Sequence, residues 1–227
     1  MSDFFAFPTV NSWEEDVFQL TGVGIAVTIL LIIACIALAL FLQPKDVRNM
    51  KFSTKQLTFS AMAMALAMVL SMIKILDLPL GGSATLCSMF FITLTGYVYG
   101  PKAGLLTGIS YGLLQFVIDP VFYTLPQMLT DYPLAFGALG LSGFFWNQKW
   151  GLQIGYVVGI IGRFFFSWLS GFIFFAAYAD GSGMSPALYS FCYNGSYIAA
   201  EGVITLIIIS IPAVSKAIAQ VKRGILG

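Results

Sequence analysis

The chain alternates long apolar runs with short polar breaks. A helix needs about 20 mainly apolar residues to cross the bilayer core. The first such run, 19–43, reads "QLTGVGIAVTILLIIACIALALFLQ"; Pro44 stops it and "KDVRNMK" follows. Six further runs are predicted at 54–76, 84–100, 102–118, 125–146, 151–178 and 186–213, with Gly100-Pro101 parting the two shortest. A β-barrel would need alternating segments of about ten residues, and no such pattern is present. The predicted fold is an all-α membrane protein in which one extra N-terminal transmembrane helix precedes a six-helix bundle, seven spans together.

Composition agrees with this pattern. The chain is 59% hydrophobic and 9% charged, with a mean hydropathy of +0.90, whereas a soluble domain carries about 25% charged residues. Lipid is the implied solvent. The segment before the first run is acidic (Asp3, Glu14, Glu15, Asp16) and has no Lys or Arg. A signal peptide needs a positive n-region and a shorter apolar stretch, so the first run is read as a retained anchor.

The placement of charge sets the orientation. Lys and Arg concentrate on the cytoplasmic side of membrane helices. Lys45, Arg48, Lys51, Lys55, Lys102, Lys149, Lys216, Lys222 and Arg223 all fall on one side if seven spans start with the N-terminus outside. Asp3, Glu14, Glu15, Asp16, Asp77, Asp119 and Asp180 then fall outside, and only Asp46 and Lys74 run against the trend. The expected organisation is an extracellular acidic tail (1–18), the extra helix (19–43), a basic cytoplasmic linker (44–53), a six-helix membrane domain (54–213) and a basic cytoplasmic tail (214–227).

Several chemistries are missing from the sequence. There is no histidine, the usual proton shuttle and commonest metal ligand. Cys35, Cys87 and Cys192 have neither metal-site spacing nor the even number of a disulfide framework, and they are read as small packing residues. No cofactor is expected, and nothing points to nucleic acid. There is no G-x-x-x-x-G-K-[ST] stretch, so any ATP hydrolysis would belong to another protein.

Small residues recur at helical spacing. Ala61 and Ala65, like Ala63 and Ala67, stand four apart in "AMAMALAM", where helix backbones can approach closely in lipid. They suit either packing within the chain or docking of another membrane protein. Gly104, Gly108 and Gly112 form one stripe, Gly155 and Gly159 another, both read as packing within the chain.

Ionisable groups inside lipid are costly and mark function by default. Arg163 and Glu201 come out at one depth, about 18 Å from the cytoplasmic end at 1.5 Å per residue, which suggests a structural ion pair. Asp131 is shallower, near the outer end of its run, with no Lys or Arg at its level. The outer half is also aromatic, and "YSFCYNGSY" adds Asn194 between Tyr193 and Tyr197. Interfacial belts account for many such rings. A carboxylate, an amide and several π-faces together suit a flat, cationic, hydrogen-bonding small molecule.

The stretches "LTFSAMAMALAMVLSMIK", "LPLGGSATL", "YGPKAGLLTGISYGLLQF", "LPQMLTDYPLAFGALGLSGFF" and "YSFCYNGSY" resemble, in order and spacing, the thiamine-specific substrate-binding (S) components of energy-coupling factor (ECF) transporters, the ThiT family. The resemblance covers most of 54–202. It implies a six-helix S-component bundle in a bacterial plasma membrane that captures thiamine from outside. Such a bundle docks, through small residues of its first core helix (here Ala61, Ala63, Ala65 and Ala67), onto a transmembrane coupling subunit served by two cytoplasmic ATPases. By the same resemblance Asp131 hydrogen-bonds the aminopyrimidine, Tyr132 is a pocket tyrosine, and Tyr189 and Asn194 line the thiazolium side. Departures from the family are Asp131 where a Glu is expected, Phe175 for a pocket Trp and Ser167 for a pocket His, with Trp168 adjacent to compensate. They leave open a shifted pose or another heterocyclic vitamin or precursor. Two further readings remain: an intramembrane enzyme, disfavoured because no Ser or Cys stands beside a base, and a membrane scaffold in which Asp131 and Asn194 join helices.

Overall fold

In a computed structural model the described residues are 6–10, 16–23, 26, 30 and 53–226. They form a mostly helical bundle. Strands β1 (Ala6–Val10) and β2 (Asp16–Leu20) pair antiparallel, so part of the expected acidic tail is a hairpin. The extra helix at 19–43 and the linker at 44–53 lie largely outside the described residues. Of that helix, Gly22, Val23, Ala26 and Leu30 are helical, while Gln19 and Leu20 belong to β2.

Helix α1 (Thr54–Ser71) starts with a reciprocal cap: Gln56 N donates to Ser53 Oγ at 3.2 Å and Ser53 N to Gln56 Oε1 at 3.0 Å. It ends before the predicted 76. Strands β3 (Lys74–Asp77) and β4 (Ser83–Thr85) form a hairpin there. The turn closes through Leu78 N to Gly82 O, 2.8 Å, with positive φ at Leu80 and Gly81. Glycine takes such a φ without steric cost. Lys74, the cation that broke the charge trend, pairs with Asp77 at 3.1 Å.

Helix α2 (Ser88–Tyr99) is shorter than the run at 84–100 because Ala84 and Thr85 belong to β4. Gly100 (φ 87°) separates it from α3 (Pro101–Ile118), which opens on Pro101, one residue before the predicted 102. The run at 125–146 is one helical segment, α4, with changing pitch. It is α-helical at Leu125–Leu129, has a π-turn at Thr130–Leu134, returns to α at Ala135–Gly137 and tightens to 3₁₀ at Ala138–Phe145. Pro133 explains the change: it has no N–H for the carbonyl four residues back, and Ala135 N bonds Thr130 O, five back.

Helix α5 (Gly151–Phe174) gives way to a 3₁₀ turn (Ala176–Ala179), so Phe175 is the boundary residue rather than part of a helix reaching 178. Helix α6 (Pro186–Ser210) is followed by α7 (Pro212–Leu226), where a basic tail was expected. Lys222 tethers α7: its ammonium lies 3.9 Å from the Tyr97 ring centroid and donates to the Trp146 carbonyl. Among the described residues α5 and α6 are long and apolar enough to cross a bilayer by that measure alone.

The core holds Ala67, Met89, Ile92, Tyr111, Leu139, Tyr156, Ile198 and Ile209. The glycine stripe of α3 lies directly on α4. A Cβ at Gly108 would meet the Phe136 carbonyl, and one at Gly112 the Tyr132 carbonyl. Gly155 and Gly159 meet Ser142 and Leu139 in the same way. In α1 the alanines divide. Ala63 and Ala67 are buried against the rest of the chain (Ala67 is 0% exposed), whereas Ala61 and Ala65 are exposed beside Leu57, Met62, Leu66 and Val69. Ala63 and Ala67 therefore pack within the chain, whereas Ala61 and Ala65 face outward.

Candidate functional site

A cavity of about 560 Å³ opens among the β3–β4 hairpin, α3, α4, α5 and α6. That volume lies within the range of small-molecule sites, about 300–1,000 Å³.

One wall is the π-turn of α4. Asp131 Oδ2 accepts 2.7 Å from Gln127 Nε2, one helical step earlier. Gln127 is 0% exposed and is itself fixed, with Nε2 donating to Val121 O (3.1 Å) and Oε1 accepting from Tyr123 N (3.0 Å). The carboxylate is thus held by a side chain locked to the loop before it. Tyr132 lines the cavity too. Its hydroxyl donates to Asp119 O (2.8 Å) and accepts from Val121 N (2.9 Å), and its ring lies edge-on to Phe116.

The facing wall is α6. Tyr189 and Tyr193 stack at 6.1 Å. The Tyr193 hydroxyl accepts from Gly82 N (2.8 Å) and donates to Pro79 O, pinning the hairpin tip. Asn194 is buried and committed: Nδ2 donates to Ser190 O (3.0 Å), and Oδ1 accepts from the Tyr197 hydroxyl (2.8 Å). It lines the cavity as a member of a network.

Helix α5 supplies Arg163, Ser167 and Gly171 at four-residue steps, and Phe175 follows its end. The Phe175 ring stands edge-on to Tyr123 (5.2 Å) and stacks on Tyr178 (5.8 Å). Trp168 is not in the cavity wall. One residue past Ser167 the helix has turned by about 100°, and Trp168 Nε1 donates to Ala187 O at 2.9 Å while the ring stacks on Phe172. The expected compensation for the missing pocket Trp does not occur.

The expected ion pair does not form either. Arg163 and Glu201 both line the cavity, but the guanidinium lies 4.3 Å from the Phe136 ring centroid. The Glu201 carboxylate takes Thr85, Ser88 and Met89 as partners instead. Equal depth along two helices did not place the two side chains toward each other.

Gln127 and Phe136 were not expected at the site, and Tyr123 and Tyr178 were expected only as members of the outer aromatic cluster. For Gln127 the signal was present, an amide four residues before a buried carboxylate. For the rings, only the fold brings them to the cavity.

The sequence matches the model of the thiamine transporter protein family (Thia_YuaJ) over residues 57–220. It is 33% identical over 165 residues to "Thiamine transporter ThiT" of Bacillus subtilis, covering 66% of this chain and 85% of that protein. A solved structure of ThiT from Listeria monocytogenes superposes with a TM-score of 0.58 at 24% identity, covering 70% of this chain and 94% of that one. At that identity the superposition speaks for the fold alone.

Proposed function

Because the chain belongs to the thiamine transporter family, we propose that it is a substrate-binding membrane subunit that takes up thiamine from the outer side and passes it to an ATP-driven coupling module made of other proteins. A transporter family also argues against the intramembrane-enzyme reading. The observation that carries the proposal is the cavity with a locked carboxylate on one wall and aromatic faces on the others. Asp131 accepts hydrogen bonds from the exocyclic amine of the pyrimidine. Phe175, Tyr178 and Tyr189 offer π-faces to the thiazolium cation, Tyr132 and Ser167 complete the wall, and Tyr193 and Asn194 fix its geometry.

The proposal includes seven spans with the N-terminus outside and a cell-membrane location. Strand β2 packs against the 3₁₀ turn that follows Phe175 and carries Tyr178, which supports placing the N-terminal hairpin on the side of the cavity mouth. Ala61 and Ala65 form the docking face for the coupling subunit, which two cytoplasmic ATPases serve. Ala61→Trp or Ala65→Trp should abolish that assembly and leave ligand binding intact. Arg163, with no anionic partner among the described residues, favours one alternative: a related heterocycle carrying an acceptor group at that end of the cavity.

The test is calorimetric titration of the detergent-purified protein with thiamine, with mass spectrometry of whatever co-purifies. Tight thiamine binding is expected. A different bound heterocycle would replace the ligand and keep the transport reading. No binding and no co-purified molecule would leave a scaffold.

A further inference from the structure

Glu201 is a carboxylate buried to 2% exposure in the middle of α6, and no cation among the described residues pairs with it. Its partners are four donors from one short stretch of chain. Oε2 accepts from Thr85 N (2.9 Å) and Thr85 Oγ1 (2.6 Å), and Oε1 accepts from Met89 N (2.9 Å) and Ser88 Oγ (3.2 Å). The first N–H groups of a helix have no partner within it, and an N-cap side chain normally supplies one. At α2 the cap position is Cys87, in a left-handed conformation, and it makes no side-chain cap. Glu201 provides the acceptor from 112 residues away, and its charge suits the positive end of the helix.

Thr85 and Ser88 also line the cavity, and α6 carries Tyr189, Tyr193, Asn194 and Tyr197 on the facing side. We propose that Glu201 is a positioning residue that fastens the β4–α2 wall of the cavity to α6, so that both walls hold a bound ligand as one unit. The inference rests on the cavity being the ligand site. It concerns a different contact from the Tyr193 bonds, which reach only the hairpin tip at Pro79 and Gly82.

Glu201→Gln keeps the shape but puts an amide N–H₂ against one of the two backbone N–H groups. Hydrogen exchange of the full chain without ligand should quicken over 83–90 on the order of tenfold, with 101–118 unchanged. Thiamine should dissociate faster on the order of tenfold, with the association rate altered by no more than about twofold. Thr85→Val, which leaves the carboxylate three donors, should give a smaller rise. Glu201→Gln with Thr85→Val should add little to Glu201→Gln alone, because the two share one network. Faster exchange with unchanged dissociation would reduce Glu201 to a structural cap and overturn the proposal, as would unchanged exchange. If Glu201→Gln does not fold, an unaltered dissociation rate in Thr85→Val overturns it. If the unsubstituted chain binds no thiamine, the thiamine assignment fails by itself, and the exchange over 83–90 still decides whether Glu201 fastens the wall.

Discussion

On α6, Tyr189, Tyr193 and Tyr197 recur every four positions of an unbroken helix, with Asn194 next to Tyr193, whereas the helix opposite changes pitch around Asp131. Both stretches line one cavity. On the regular wall the helical period alone aligns the side chains, Tyr189 stacks on Tyr193, and the Tyr197 hydroxyl donates to Asn194. On the irregular wall the backbone sets the geometry: Pro133 forces a wider turn, and the glycines of α3 press against the carbonyls beside it. Such π-turns in helices often occur at functional sites. The regular wall should therefore tolerate changes away from its stripe, and the irregular one should fail when its backbone moves.

The largest effect is expected from Gly112→Val, which sets a side chain against the Tyr132 carbonyl. Overpacking of this kind costs about 1–3 kcal/mol or more. The displaced π-turn should weaken thiamine binding about a hundredfold and lower the melting temperature. A matched change on the exposed side of α6, Ser196→Ala, should do neither. Equal responses in calorimetry and thermal unfolding would erase the contrast between the walls.

Asp131→Asn comes next. It keeps shape and backbone but loses a charge-assisted bond worth about 1.5–3 kcal/mol, so binding should weaken ten- to a hundredfold with little change in melting. An affinity that did not move would take Asp131 out of the site.

Phe175→Leu should cost about 0.5–2 kcal/mol for thiamine and almost nothing for an analogue with a neutral ring in place of thiazolium, whereas Phe175→Trp should keep or improve binding. Equal losses for both ligands would mean plain packing. The smallest effect belongs to Trp168→Phe. It gives up the bond to Ala187 outside the cavity, and thiamine affinity measured by calorimetry should change by less than about twofold. A larger loss would put the ring back in the wall.

This division of labour also explains what the sequence revealed. Periodicity exposes whatever a regular helix presents, and so it yielded the α6 stripe, the α3 glycines and the Gly100-Pro101 break. Asp131 stood out because a carboxylate in an apolar run is costly wherever it points. Periodicity says nothing about rotation of one helix against another, so Arg163 and Glu201 looked paired when they are not, and Trp168 looked adjacent to a pocket it faces away from. Apolar residues that form strands at 74–77 and 83–85 merge with helical runs in any hydropathy reading, which lengthened two predicted helices. The split between Ala61 with Ala65 and Ala63 with Ala67 needed the packing of α1 on its neighbours, since both pairs share one spacing.

The glycine stripe of α3 has a mechanical consequence. Where backbone lies on backbone, no rotamer can turn to absorb a displacement, and packed interiors compress little. Helix α3 and the segment carrying Asp131 behave as one stiff plate. Compliance is left to contacts made by side-chain tips, such as the Tyr193 hydroxyl on the hairpin. A bulkier ligand would be accommodated on that side, and the carboxylate would remain the fixed point from which the reach of every other contact is measured.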